Sequence, residues 1–223
     1  MISEFKIIEA QLIELNKYLK TKAEIYIIGG AVLLYHGLKP ATKDIDIVVD
    51  SEAQFRALEN AFKDAGYKTR IPGTEYKHMD LSQIFIKGDM RIDLFLHTVC
   101  SRFFLSENMK KRAIKVIDLN NIAVYLCSKE DIFLFKTMTD REGDVEDCTV
   151  LFQRGLDWDA ILNELIYQAK ETGNDVWITW VGERLETLVE RGINFPKPFM
   201  DKVIAIVNNY YDSLEKTHTD KSV

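Results

Sequence analysis

Cysteine is scarce and unpatterned. Cys100, Cys127 and Cys148 are an odd number with no Cys-x-x-Cys spacing, which speaks against both a disulfide framework and a cysteine-based zinc site and predicts buried, reduced thiols. Long apolar runs are missing as well; the longest are a few residues, far short of the ~20 that a membrane span needs. The opening Met1-Ile-Ser-Glu-Phe-Lys6 carries an acid where a signal peptide would be basic and then apolar. The expectation is a cytoplasmic chain with no membrane partner. Positive charge is in deficit: the formal net charge is −6, which argues against broad adhesion to nucleic acid, since that binding is driven by counterion release from many phosphates. The densest basic run, Lys110-Lys111-Arg112 with Lys115 nearby, reads as a solvated helix face before an RNA contact. Internal repeats and low-complexity segments are absent.

What is present is enough apolar material for a sizeable core, 47% of 223 residues, in one large domain or two small ones. Phe5, Ile8, Leu12, Leu15 and Leu19 recur at helical steps and predict an amphipathic helix over 3–20 started by Ser3. Ser51-Glu-Ala-Gln54 is a capping box opening a helix with Phe55, Leu58 and Phe62 inward that stops at Gly66. Residues 83–96 read as a hairpin turning at Gly88-Asp89, where glycine in the first central position fits a type II′ turn. Two short strands follow, 113–118 and 122–127. Ser128-Lys-Glu-Asp131 opens another helix, and from Leu156 the pattern is helical: Asp157 caps one helix, a second covers about 175–190, and a last carries Phe199, Val203, Ile206, Val207 and Tyr210 before a polar tail from Lys216. Trp177, Trp180, Tyr210 and Tyr211 sit at helical spacing and read as core rather than as stacking platforms.

The chemistry concentrates in residues 25–49. A β-rich run ends at Gly29-Gly30, a short apolar helix closes at His36-Gly37, and a second β-rich run opens with Asp44-Ile45-Asp46. Alternation along a strand puts Asp44 and Asp46 on one face and Ile45 and Ile47 on the other. Two adjacent carboxylates call for a cation, and hard oxygen donors suit Mg²⁺. Gly-Gly between strand and helix lets backbone N–H groups approach an anion closely. Phosphate beside a divalent metal is the implied chemistry. Further on, Asp93 is a lone acid in an apolar strand, sharing a face with Arg91 and Phe95. Beside the Asp44 strand it would complete a cluster of three carboxylates.

Gly29-Gly30 followed by Thr42-Lys43-Asp44-Ile45-Asp46 resembles the signature of the polymerase-β-type nucleotidyltransferase superfamily, and within it the small prokaryotic proteins that include AbiEii-type toxins. The resemblance is sharpest over 25–50 and extends loosely to about 155. It departs at Pro40, where relatives often carry Arg, with Lys39 beside it. It implies an α+β fold, a mixed sheet flanked by helices, with a catalytic domain over 1–127 and a C-terminal helical domain over 128–223. It implies nucleotidyl transfer from an NTP, with ATP among the candidates, using Mg²⁺ or Mn²⁺ held by Asp44, Asp46 and Asp93 as the catalytic, metal-binding set. Gly29, Gly30, Thr42 and Lys43 would meet the nucleotide. A Lys followed by Arg-x-x-Asp-x-x-Asp, here Lys136, Arg141, Asp144 and Asp147, resembles a phosphate-neutralising element of small nucleotidyltransferases; ordinary surface ion pairs are the competing reading. The acceptor it implies is an RNA or tRNA end before a protein or small-molecule hydroxyl. The alternative is a catalytically inactive regulatory module of a toxin–antitoxin system, which Pro40 favours and the three acids oppose.

Overall fold

The stripe Ile8, Leu12 and Leu15 is buried on helix α1 (Phe5–Leu15). This helix is shorter than its periodicity predicts. Ser3 does not cap it, tight turns from Lys17 to Glu14 and from Tyr18 to Leu15 unwind its end, and the Asn16 side chain accepts the Asn121 N–H at 2.9 Å. Leu19 reaches the core from beyond the helix. In this computed structural model the described residues are 1–76, 78–173 and 175–219, the side chains of 75 and 216–219 excepted.

Among them the chain forms β1 (Ala23–Ile28), α2 (Gly30–Tyr35), β2 (Ile45–Val49), α3 (Glu52–Asp64), β3 (Lys68–Arg70), a 3-10 turn (Thr74–Tyr76), β4 (Met79–Lys87), β5 (Met90–Cys100), β6 (Phe103–Phe104), α4 (Glu107–Arg112), β7 (Ile114–Asp118), β8 (Ile122–Leu126), α5 (Lys129–Thr137), α6 (Glu142–Gln153), α7 (Trp158–Thr172), α8 (Trp177–Glu190) and α9 (Lys197–Thr219). The fold is α+β with a mixed sheet in the order β3-β4-β5-β2-β1-β8-β7, β6 lying off that path. β2 is antiparallel to β1 and parallel to β5, and β8 is parallel to β1.

These ends have local causes. Ser51 Oγ accepts the Gln54 N–H at the start of α3. The Leu38 N–H returns to Leu33 and the Gly37 N–H to Leu34, a Schellman closure of α2 in which Gly37 takes φ +66°. Gly88 takes φ +58° at the hairpin turn, and the two arms run longer than 83–96. One sheet face, with Ile25, Ile27, Ile45, Ile47, Ile92, Leu94, Val124 and Leu126 all buried, is core. The opposite face has Tyr26 stacked on Tyr125 at 4.9 Å, and on it the acids of β2 and β5 emerge.

The described chain divides into two compact units. The first is Met1–Cys100 with Phe104–Ile132; the second is Ser101–Phe103 with the chain from Phe133 onward. The second unit holds an aromatic core in which the Trp158 ring meets Phe199 at 5.0 Å, Phe195 at 5.4 Å and Phe133 at 5.6 Å. Trp177 is fully buried there, while Tyr211 is exposed. α9 continues through Thr219, past the Lys216 where a frayed tail was expected; residues 220–223 lie outside the described set. All three cysteines are buried thiols, and burial pushes those of Cys127 and Cys148 well up. No helix among the described residues is long and apolar enough to cross a membrane.

Candidate functional site

β2 begins at Ile45, so Asp44 stands just before the strand and Asp46 within it. Parallel pairing sets Asp46 directly beside Asp93, with Ile45 beside Ile92, and the antiparallel pairing on the other side sets Ile28 beside Asp46. A row of one face therefore reads Ile28, Asp46, Asp93, Ile84 across four strands. Neighbouring strands are about 4.8 Å apart, so these carboxylates are close enough to repel unless a cation answers them. Asp46 is half-buried and Asp93 is buried.

The Gly-Gly pair shapes the space against this row. Gly29 has φ +69°, and a Cβ placed on it would lie 2.2 Å from Asp46 Oδ2. A Cβ on Gly30 would lie 2.6 Å from Thr42 Oγ1 and 4.0 Å from Lys39 Cδ. Both glycines are required by close approach, one to a carboxylate and one to a hydroxyl. α2 has only six residues, so its dipole adds little and the bare glycine backbone is the feature that an anion would meet. Thr42 is buried, its Oγ1 donates to the Asp44 carbonyl at 3.1 Å, and its backbone exchanges two 2.8 Å hydrogen bonds with Ile2. Thr42 thus fixes the approach to Asp44. Lys43 is exposed, and so is His36, whose ring meets Tyr35 edge-on at 5.2 Å.

Asp93 has a partner that the spacing alone did not put forward. Arg91 Nε donates to Oδ1 and Nη2 to Oδ2, each at 2.7 Å, and Nη2 also donates to Tyr76 Oη at 2.8 Å. The signal was present: two residues apart on a strand, Arg91 and Asp93 share a face. The Asp93 carboxylate, then Tyr76, raise the Arg91 guanidinium above its already high pKa.

Among the described residues no set of three or more His, Cys, Asp or Glu side chains forms a group that could hold a metal ion. Mg²⁺ is commonly bound by one or two carboxylates completed by substrate phosphates and water, not by an all-protein cage. Asp46, a hard oxygen donor against Gly29, and Asp44, just before the same strand, fit that mode.

Within the second unit, Lys136 Nζ lies 2.5 Å from Asp144 and 2.9 Å from Asp147, both on α6. Asp144 also accepts from Arg141 Nε at 2.7 Å and from the Thr139 hydroxyl. Burial works against the Lys136 ammonium, but Asp144 and Asp147 outweigh it and raise its pKa. Burial likewise opposes the Asp144 carboxylate, yet Lys136 and Arg141 hold its pKa below the ordinary value. The lysine is seated between carboxylates here, and Arg141 is largely exposed. The basic run on α4 is mostly answered in the first unit: Lys110 by Asp50 and Glu107, Arg112 by Asp131 at 2.5 Å.

Residues 3–191 match the model of a family described as "Nucleotidyltransferase of unknown function (DUF6036)". No curated protein matches the chain. Among solved structures it is similar to ANT(2'')-Ia in complex with adenylyl-2''-tobramycin, at 12% identity and TM-score 0.49, covering 75% of this chain and 98% of that one. It is similar to TM1012 from Thermotoga maritima at 18% identity and TM-score 0.44, covering 69% and 94%. Likeness to JHP933 from Helicobacter pylori is 12% identity and TM-score 0.39, covering 100% and 98%. Likenesses this distant bear on no individual residue.

Proposed function

Since the chain belongs to this family of nucleotidyltransferases, matched over residues 3–191, we propose that it moves a nucleoside monophosphate from an NTP to an acceptor hydroxyl at the acidic face around Asp46. The observation that carries the reading is the seating of Asp46 beside Asp93 in register, with its carboxylate against the Gly29 backbone. Asp44 and Asp46 are the residues that would hold Mg²⁺, which when bound supplies charge neutralisation of the triphosphate. Gly29 and Gly30 offer backbone to the phosphates without side-chain obstruction. Asp93, placed beside Asp46, is the third carboxylate that would meet a cation there. Thr42 keeps the Asp44 backbone in place through its hydroxyl.

On the AbiEii-type resemblance we assign an RNA end, tRNA first, as the acceptor. The net charge of −6 and the ion-paired state of the α4 basic run mean that such an acceptor must be met locally rather than by a broad basic surface. The test is transfer of α-phosphate label from each of four nucleoside triphosphates into host RNA and protein fractions with Mg²⁺, with Asp46→Ala as the blank. Label in RNA that vanishes in the variant, whose circular dichroism stays that of the parent, is the expected result. Label in protein instead would replace the acceptor. Full activity in Asp46→Ala would overturn the site, and the absence of label with metal-independent nucleotide binding would favour the inactive regulatory module.

A further inference from the structure

Arg91 occupies the acidic face itself. Asp46 pairs with Asp93, and Arg91, two residues before Asp93 on β5, shares its face and meets its carboxylate. The guanidinium fork takes one oxygen of Asp93 with each of two nitrogens, both at 2.7 Å, a bidentate, charge-assisted geometry. Only 5% of the Asp93 side chain is exposed, against 26% for Arg91. The rest of Arg91 rests on Tyr76, which accepts from Nη2 at 2.8 Å and presents its ring 5.2 Å from the guanidinium carbon. Tyr76 belongs to the 3-10 turn between β3 and β4, not to the sheet.

We propose that Arg91 is the positioning residue of this face: it clamps Asp93 in the cation-free protein and competes with a divalent cation for the same carboxylate. The inference rests on the reading of the acidic face as a metal–nucleotide site. Asp93, buried and beside Asp46, needs a counter-charge to stay ionised, and Arg91 supplies it. A dication at the Asp93 carboxylate would meet the guanidinium charge in a site with little water to screen it. Cation engagement of Asp93 and release of Arg91 are therefore one event, and Tyr76 is the anchor that the released arginine keeps or leaves. A clamp engaged about nine times in ten lowers the apparent cation affinity about tenfold.

The test is Mn²⁺ binding to the full chain without nucleotide, read from the electron paramagnetic resonance of free Mn²⁺. The set is the parent protein, Arg91→Gln, Tyr76→Phe and Asp46→Asn, with circular dichroism on each. The clamp predicts that Arg91→Gln binds Mn²⁺ about tenfold tighter than the parent and Tyr76→Phe about threefold tighter, through loss of one hydrogen bond to the clamp. A role for Arg91 in folding alone predicts the opposite direction, because a displaced Asp93 would bind more weakly. Binding that Asp46→Asn abolishes but Arg91→Gln leaves unchanged or weakens would overturn the clamp and leave the site standing. Absence of binding in the parent and in Arg91→Gln would overturn both. Should Arg91→Gln fail to fold, Tyr76→Phe decides: tighter binding sustains the clamp, and unchanged binding overturns it.

Discussion

Gly29 is the residue at which backbone conformation and chemistry meet. Its φ of +69° is one that side chains disfavour, and the space a methyl group would take is filled by Asp46 Oδ2 at 2.2 Å. Gly29→Ala must therefore strain the backbone, at about 1–3 kcal/mol, and move the Asp46 carboxylate. Transfer should fall about a hundredfold, the scale of a displacement near 1 Å at a reacting centre, while the thermal midpoint drops only modestly. Unchanged transfer by Gly29→Ala would mean that Asp46 has no fixed task. Asp46, Asp93 and Gly29 were legible in the sequence because strand alternation and a Gly-Gly break are local properties. The Arg91 clamp was legible only as a shared face; that its fork closes on Asp93 depends on side-chain rotamers and on Tyr76, fifteen residues away.

At the scale of elements, α5 and α6 are joined by a buried ion cluster. Lys136 serves Asp144 and Asp147, so Lys136→Met would leave two carboxylates on α6 without their principal counter-charge. Breaking a buried pair by removing one partner costs about 3–5 kcal/mol, and urea unfolding at pH 7 should register a loss of that order. The acid limb follows from Asp144, whose pKa is held below its ordinary 3.8 against burial by Lys136 and Arg141. Between the folded value and 3.8 the unfolded chain binds more protons. The stability from Asp144 is thus complete above 3.8 and is lost as pH falls through the folded value, so the gap between parent and Lys136→Met should close there. Lys136, raised from 10.5, gives the mirror image: its contribution is complete below 10.5 and is lost as pH rises through the higher folded value. A gap that stays constant across both limits would show that the pair is not what couples the helices. Caps at Ser51 and Asp157 were legible because each is a contact across three residues. The early end of α1 and the existence of α6 were not, since Asn16 finds its partner 105 residues away and α6 is fixed by what Lys136 and the surrounding core demand.

For the whole molecule, the mixed sheet flanked by helices was implied by the family resemblance, while the succession of strand, helix and strand pointed only to a sheet domain with helices. Strand order was not legible: that β2 lies between β1 and β5, which is what puts Asp46 beside Asp93, is set by crossovers that no single stretch records. The same arrangement seats Asp46 beside Asp93 with its carboxylate against Gly29. The most direct test is calorimetric binding of a non-hydrolysable ATP analogue with Mg²⁺ and with EDTA, for the parent and Asp46→Asn. The account predicts binding that requires Mg²⁺ and is weakened at least about tenfold in Asp46→Asn, the scale of one charge-assisted contact. Equal binding with EDTA, or equal binding by Asp46→Asn, would contradict it.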